Sequence, residues 1–553
     1  VNIYYNYYVN NITQYVWKSI HTQLRKEFFD MKNIFNRPCY YIEQVKKVRV
    51  PEKKRKKFNS KSMLCAWVTK LCPARCESCF FKSNMYHNDV PDEKYQFSQY
   101  GVDRLIKFIN DSNNSYLMLS GGGEPMVRKD IVNEIIRRVK SDRIVIVTSA
   151  IWAKTYASAE KTIDELYESY VSRNDDLVLV LRLSVDSFHY KPLGFDVIDN
   201  VIKVFRNKYS KCKNFQLRIH TMQNDPTLEM VAEKIGDCKV VYSDVESVSD
   251  NKEIIKILPK QAMLSFNEGY DIKVGLSKLF FSNLKIDLNE FTEDIQRSLD
   301  VFEEDMSASE YGNPSILTNC DGSLGLDFWI DYNGNVTTWG NQQWDNLYNV
   351  YVDTYQDLVK GTFDNIISYS FLDKGYYYRE RIVRAVNPRA VLRSKAMNLR
   401  DYAGAFLMEE DKTKLYYAVR AIKDYLEDGV LSEDDISYLP ANLLNVIHSS
   451  VDEITALYKA SNYDIVSQYF DKKSELSQTD WEILFTLIRL GHYEVSESHL
   501  KEAIDFYNET FYCNIHSVND IPDSDDPILY GEFHNRISFM KKEAEELCLR
   551  MHH

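Results

Sequence analysis

Between about residue 61 and residue 260, short apolar runs of strand character alternate with longer amphipathic runs, and this alternation most restricts the fold. The strand candidates are 63–69, 116–120, 143–148, 177–184, 215–221 and 239–243. Helix candidates at 102–110, 131–140, 163–171, 197–207 and 228–235 separate them. In the second of these, Ile131, Ile135, Ile136 and Val139 fall on one helical face. Strands joined through helices cannot pair by tight hairpins, so the pattern predicts a parallel sheet with right-handed crossovers. Ligand-handling residues then belong at the carboxyl ends of the strands, where the connecting loops converge.

A chain of 553 residues exceeds one hydrophobic core, and its pattern divides it in four. Residues 1–60 read as a helical extension ending in a basic linker, and 61–261 as the strand–helix region. Residues 262–375 lose the alternation, and 376–553 read as helical. Within the third part, Asp331-Tyr332-Asn333-Gly334-Asn335 between two apolar runs predicts a β-hairpin with an Asn-Gly turn. Within the fourth, Leu415, Val419, Ile422 and Leu426 form an apolar stripe, with Gly429 as a stop. Asp520, Asp523, Asp525 and Asp526 sit in a polar break whose spacing matches no EF-hand loop.

The formal net charge of −13 disfavours a general nucleic-acid partner. The exception is local: Lys46, Lys47, Arg49, Lys53, Lys54, Arg55, Lys56 and Lys57 crowd one stretch. Such a run reads first as a solvated linker and second as a docking strip for an acidic partner. No run reaches the roughly 18 apolar residues that span a bilayer, so no membrane partner is expected. Ten cysteines, three clustered and the rest scattered, do not form a secreted disulfide framework, and a cytoplasmic location is expected.

The three clustered thiols are Cys72, Cys76 and Cys79, just after the first strand candidate. Cys76-x-x-Cys79 alone fits half a zinc site or a redox pair. A zinc site wants a second spaced pair, which the chain lacks, and a thioredoxin-like site needs two cysteines rather than three. Three thiolates at this spacing suit a cubane iron–sulfur cluster with one iron left open. Directly after the second strand candidate stands Ser120-Gly121-Gly122-Gly123-Glu124-Pro125. Consecutive glycines let the backbone approach a ligand, and Glu124 offers a carboxylate to a cation. The turn has neither the Lys-Ser/Thr of a phosphate loop nor the spacing of a dinucleotide fingerprint.

A Cys-x3-Cys-x2-Cys loop after one strand and Gly-Gly-Glu-Pro after the next resemble the radical S-adenosylmethionine superfamily over about residues 61–260. The resemblance implies an α/β fold, a partial (β/α)6 TIM-like barrel. It implies one 4Fe–4S cluster held by Cys72, Cys76 and Cys79, with S-adenosylmethionine on the open iron and its amine held by Gly122, Gly123 and Glu124. Leu181-Arg182-Leu183-Ser184-Val185-Asp186-Ser187 is similar to the family's fourth-strand segment, which makes Ser184 a cofactor contact. Arg218 matches a fifth-strand arginine that pairs with the methionyl carboxylate, and Thr148 and Ser149 line the same cleft. An external one-electron donor such as flavodoxin or ferredoxin is implied as a partner.

Residues 320–340 resemble the start of the auxiliary (SPASM or twitch) region of peptide-modifying members, which carries further clusters. Here Trp339 stands where a cysteine is expected, so the region reads as cluster-free. Cys320 is then a candidate hydrogen donor to a substrate radical, against the plainer reading of a buried structural thiol. A ribosomally made peptide, epimerised or crosslinked, is the first substrate class. A sugar or nucleotide derivative is the second, and a non-catalytic iron–sulfur scaffold is the rival of a different kind.

Overall fold

The computed structural model describes residues 33–58, 63–76, 83, 85, 96–120, 122–173, 176–222, 225–243, 245–248, 254–257, 261–277, 324–326, 328–338, 348–388, 411–461, 478–489 and 495–521. Its strands are β1 (Met63–Ala66), β2 (Tyr116–Leu119), β3 (Arg143–Thr148), β4 (Val178–Ser184), β5 (Phe215–Met222), β6 (Cys238–Tyr242) and β7 (Val245–Val248). They continue with β8 (Ile254–Ile257), β9 (Gln261–Phe266), β10 (Asp271–Ser277), β11 (Phe328–Ile330), β12 (Asn335–Thr338) and β13 (Tyr348–Asn349). Eleven of these form one mixed sheet in the order β13-β12-β11-β1-β2-β3-β4-β5-β10-β9-β6, while β7 and β8 pair separately.

The helices that follow the strands match the expected alternation: α1 (Pro38–Val45) precedes the sheet, then α2 (Gln99–Ser112), α3 (Lys129–Arg138), α4 (Tyr156–Val171), α5 (Ser187–Leu193), α6 (Phe195–Val204) and α7 (Thr227–Ile235). Their starts have local causes. Ser98 Oγ accepts the Gly101 amide at 3.1 Å to cap α2, and Thr155 with Ser158 forms a capping box on α4.

The first five strands pair in sequence order, all parallel. The sixth place differs from expectation. The segment expected there, now β6, lies at the far edge of the sheet, antiparallel to β9. Its place beside β5 is taken by β10, which runs parallel to β5 and antiparallel to β9. The reason is burial. Ile272 and Val274 of β10 are buried among the helices, whereas Val241 and Tyr242 of β6 stay exposed. A strand between two neighbours must fill its helix-facing side, and β10 does so. At the other end, β11 pairs parallel to β1, so the expected hairpin extends the same sheet.

The sheet has two unlike faces because side chains alternate along each strand. One face carries Leu64, Ala66, Leu117, Leu119, Ile144, Ile146, Leu179, Leu181, Leu217 and Ile219, all buried in the main core with the helices. Each leucine or isoleucine among them contributes about 1.5–3 kcal/mol by leaving water. The register puts Cys65, Met118, Arg182, Ser184, Arg218, His220 and Lys273 on the opposite face.

The remaining helices are α8 (Tyr355–Phe363), α9 (Ile366–Arg384), α10 (Asp411–Glu427), α11 (Ala441–His448), α12 (Val451–Lys459), α13 (Gln478–Arg489) and α14 (Glu497–Phe511). The stripe expected on α10 is present and is only part of what is buried: Tyr416, Tyr417, Ala418, Ala421 and Tyr425 are buried too. A helix apolar on most of its circumference sits inside other helices, and α10 packs on α1, α9, α11 and α12. The hydrophobic core of this bundle is continuous with that of the sheet. Residues of α13 and α14 form a second, separate core around Trp481.

The basic stretch is not a free docking strip. Arg55 and Arg49 reach Asp364 at 2.9 and 3.6 Å, Lys56 reaches Asp373 at 2.8 Å, and Lys54 donates to the Gly429 carbonyl at 3.2 Å. It clasps the N-terminal segment to the C-terminal helices. Asp520 accepts from the amides of His516 and Ser517, both at 2.8 Å, as a turn cap. No helix among the described residues is long and apolar enough to cross a membrane.

Candidate functional site

The chain leaves β1 through Trp67–Leu71 into the cysteine loop. The Thr69 hydroxyl accepts the Leu71 amide at 3.0 Å, and Thr69 bridges Gln96 in antiparallel fashion. Cys72 and Cys76 follow, both part-exposed and neither in a disulfide. Between them Arg75 has φ +50°, in the left-handed region that non-glycine residues rarely adopt, so this loop stores backbone strain. Cys79, Gly121 and Cys320 lie outside the described residues. Among the described residues no group of three metal-binding side chains is gathered.

The glycine turn after β2 packs directly beneath that loop. The Glu124 amide donates to the Leu71 carbonyl at 2.9 Å. A Cβ on Gly123 would stand 2.3 Å from that same carbonyl oxygen and 2.6 Å from the carbonyl carbon of Lys70. Gly122 has φ +66°, and its Cβ would meet the Thr69 carbonyl oxygen at 3.0 Å. The glycines therefore do something the sequence reading did not foresee: they let the second turn seat against the backbone that leads into Cys72.

Glu124 has a definite occupation. Its Oε1 accepts from the Thr148 hydroxyl at 2.7 Å and the Met126 amide at 3.2 Å. Its Oε2 accepts from the Ser149 amide at 2.8 Å and the Ser149 hydroxyl at 2.7 Å. Four donors fill the acceptor capacity of a carboxylate. The structure thus joins three expected cofactor contacts, Glu124, Thr148 and Ser149, in one buried knot that ties the end of β2 to the end of β3. Thr148 Oγ1 also accepts from the Ala150 amide at 3.0 Å and Trp152 Nε1 at 2.9 Å, and Ala150 is held at φ +61°.

Ser184 ends β4 in register with His220 of β5, and Arg218 lies one step earlier, opposite Arg182. Arg218 Nη2 donates to Gln216 at 3.1 Å. Just past β4, Asp186 caps α5 by accepting the amides of Phe188 and His189 at 3.1 Å. The same carboxylate holds His189 Nδ1 at 2.8 and 2.9 Å, and Cys76 acts on the ring electrostatically. Burial opposes charging this ring, but Asp186 and Cys76 outweigh it and hold its pKa up at about 10. His189 and the part played by Asp186 escaped the sequence reading. An Asp-x-x-His directly after a strand was the available signal.

β1 and β4 are three strand spacings apart, about 14 Å. The electrostatic coupling between Cys76 and His189 shows that the cysteine loop and the start of α5 approach each other across that span. The cysteine loop, the glycine turn and the end of β4 therefore meet at the carboxyl ends of the parallel strands. On the same side, Trp67 stacks on Trp329 of β11 at 5.7 Å.

Residues 61–187 match a family model described as a 4Fe-4S single cluster domain. That stretch runs from the cysteine loop through the glycine turn to the start of α5. No curated protein matches the chain. Two part-exposed thiols, free of disulfide, on a loop braced by backbone contacts fit such a cluster as donors.

Proposed function

We propose that this protein is a radical S-adenosylmethionine enzyme with a single 4Fe–4S cluster, built on a partial (β/α)6 barrel. The observation that carries the reading is the direct seating of Gly122-Gly123-Glu124 against the backbone entering Cys72. A cofactor held at once by a cluster and by a glycine turn needs those two elements adjacent. Neither a structural zinc site nor a redox pair has any such need.

In this reading Cys72, Cys76 and Cys79 hold the cluster. When bound, the cluster supplies the electron that cleaves the sulfonium of S-adenosylmethionine and yields a 5′-deoxyadenosyl radical. The chain's own residues do the rest. Because the Glu124 carboxylate is saturated by Thr148, Ser149 and Met126, backbone carbonyls of the Gly122–Glu124 turn receive the methionyl amine. Glu124, Thr148 and Ser149 then act by keeping that turn in place. Ser184 and Arg218, on the polar face, bind the ribose or the carboxylate. The hairpin β11–β12 extends the sheet next to β1, and a ribosomally made peptide is the proposed substrate. A cytoplasmic location and an external flavodoxin- or ferredoxin-like electron donor complete the proposal.

Anaerobically reconstituted protein, reduced and given S-adenosylmethionine, is expected to release 5′-deoxyadenosine. Cys76→Ala is expected to lose both the brown cluster absorbance and that product. Fully iron-loaded wild type that never cleaves the cofactor, or Cys76→Ala that still does, would overturn the proposal.

A further inference from the structure

Arg182 lies in β4 on the polar face of the sheet, in register with Val147 of β3 and Arg218 of β5. Lys273 of β10 continues the same row. Three cations thus stand side by side on three adjacent strands, about 4.8 Å apart. Like charges directly opposite destabilise a sheet; Lys273 is exposed and keeps its water, so the pressure for an anion falls on Arg182.

Among the described residues, the surroundings of Arg182 supply none. Its guanidinium extends past β3 to Met118 of β2, where Nη2 meets Sδ at 3.3 Å, a weak acceptor. Its Nε is buried and has no hydrogen-bond partner among the described residues. The groups that act on it electrostatically are the Tyr116 phenol, the Cys65 thiol and the Arg218 cation. Burial pushes the Cys65 thiol up to about 12, so it stays neutral. Burial, followed by the charge of Arg182, pushes His220 down to about 4, so it adds no charge of its own at neutral pH. Of the carboxylates nearby, Asp186 serves His189 and the cap of α5, and Asp271 is exposed at the amino end of β10, two strands away. A part-buried guanidinium whose Nε is fully shielded and meets no anion among the described residues is a costly arrangement.

Its direction separates it from the cofactor end. Met118 and Cys65 sit one step nearer the amino ends of the strands than Arg182. The cysteine loop, the glycine turn and Ser184 sit at the carboxyl ends.

We propose that Arg182 forms a carboxylate-binding subsite on the floor of the polar sheet face, which receives an acidic group of the substrate, while Arg218 serves the cofactor. The subsite itself stands on the geometry of Arg182. Only the assignment of its ligand to the substrate rests on the radical S-adenosylmethionine reading. A planar guanidinium with a free edge suits a carboxylate, which it grips with two parallel N–H donors.

The test uses the full-length chain and succinate as the probe. In thermal melts of the cluster-free protein, succinate is expected to raise the melting temperature above that in chloride of equal ionic strength. Arg182→Met is expected to lose this response and to melt no lower than wild type, since it removes a part-buried charge that no anion compensates. An Arg182→Met protein that melts lower and keeps the succinate response would show that the charge is structural and would sink the subsite. If Arg182→Met does not fold, Arg182→Lys serves in its place: it retains the charge but not the fork, and an undiminished response to succinate overturns the proposal. With reconstituted protein, calorimetric titration of S-adenosylmethionine into Arg182→Met is expected to match wild type within about twofold. A loss of about tenfold or more, roughly 1.4 kcal/mol, would assign the subsite to the cofactor and refute the substrate assignment. If wild type itself binds no S-adenosylmethionine, the functional proposal fails, and the succinate response remains a separate result.

Discussion

At position 123 no side chain fits, because the place a Cβ would take lies 2.3 Å from the Leu71 carbonyl oxygen, and backbone cannot swing aside as a side chain can. Gly123→Ala is expected to cost about 1–3 kcal/mol, as overpacking does, and to lower iron uptake on reconstitution because the loop into Cys72 must shift. A melt combined with iron and sulfide analysis reads both effects. His220 predicts a pH dependence. Burial first, then Arg182, depress its pKa to about 4, with Asp186 opposing and His189 adding to the depression. The unfolded chain therefore takes up a proton near pH 6.5 that the folded chain refuses. Stability from this residue is intact above pH 6.5 and is lost as the pH falls toward 4, by at most about 3 kcal/mol. His220→Gln is expected to flatten that part of the stability–pH curve, measured by denaturant titration. At this scale the sequence displayed the cysteines and glycines plainly, because their chemistry is unusual and close-spaced. It did not display the partners of Glu124, which lie about 25 residues away and meet it only when β2 and β3 pair.

Among the elements, the hairpin β11–β12 was readable, and its turn differs in detail. Gly334 is at φ +84° while Asn333 is not in the left-handed region, so the loop is not the turn with two positive φ angles that Asn-Gly often makes. Asp331 decides this by accepting the amides of Asn333 and Asn335 at 2.8 and 3.0 Å. Gly334→Ala combines an unfavourable φ with a Cβ 2.7 Å from the Tyr351 ring. It is expected to lower stability by about 1–3 kcal/mol in a urea melt. The strands β1 to β5 were legible because each is a strongly apolar run between helical patterns. The exchange of β6 for β10 was not. Ala262, Leu264 and Phe266, then Ile272 and Val274, alternate around Gly269, a hairpin signal that ending the alternation at 262 passes over. Which strand sits beside β5 depends on how well each fills the space under the helices, a comparison that sequence order does not make.

For the whole molecule, the basic stretch shows how tertiary context reassigns a motif. Arg55 donates from Nε to the Val50 carbonyl at 2.7 Å and from Nη2 to Asp364 at 2.9 Å, with both ionic groups largely shielded. Arg55→Ala is expected to cost about 1–3 kcal/mol, whereas Lys53→Ala, on an exposed lysine, stays within about 0.5 kcal/mol; paired urea titrations distinguish the two. The clasp matters because α1, α10 and the sheet share one core. The sequence by itself determined the strand–helix rhythm, the three thiols, the glycine turn and the strand ends where ligands bind, since these depend on local spacing and chemistry. Tertiary structure alone decided that the glycine turn braces the cysteine loop, that His189 is coupled to Cys76, and that the part-buried Arg182 has no anion among the described residues. Each of these joins residues brought together by strand pairing and side-chain burial, and the free energy of such contacts depends on neighbours that no local window contains.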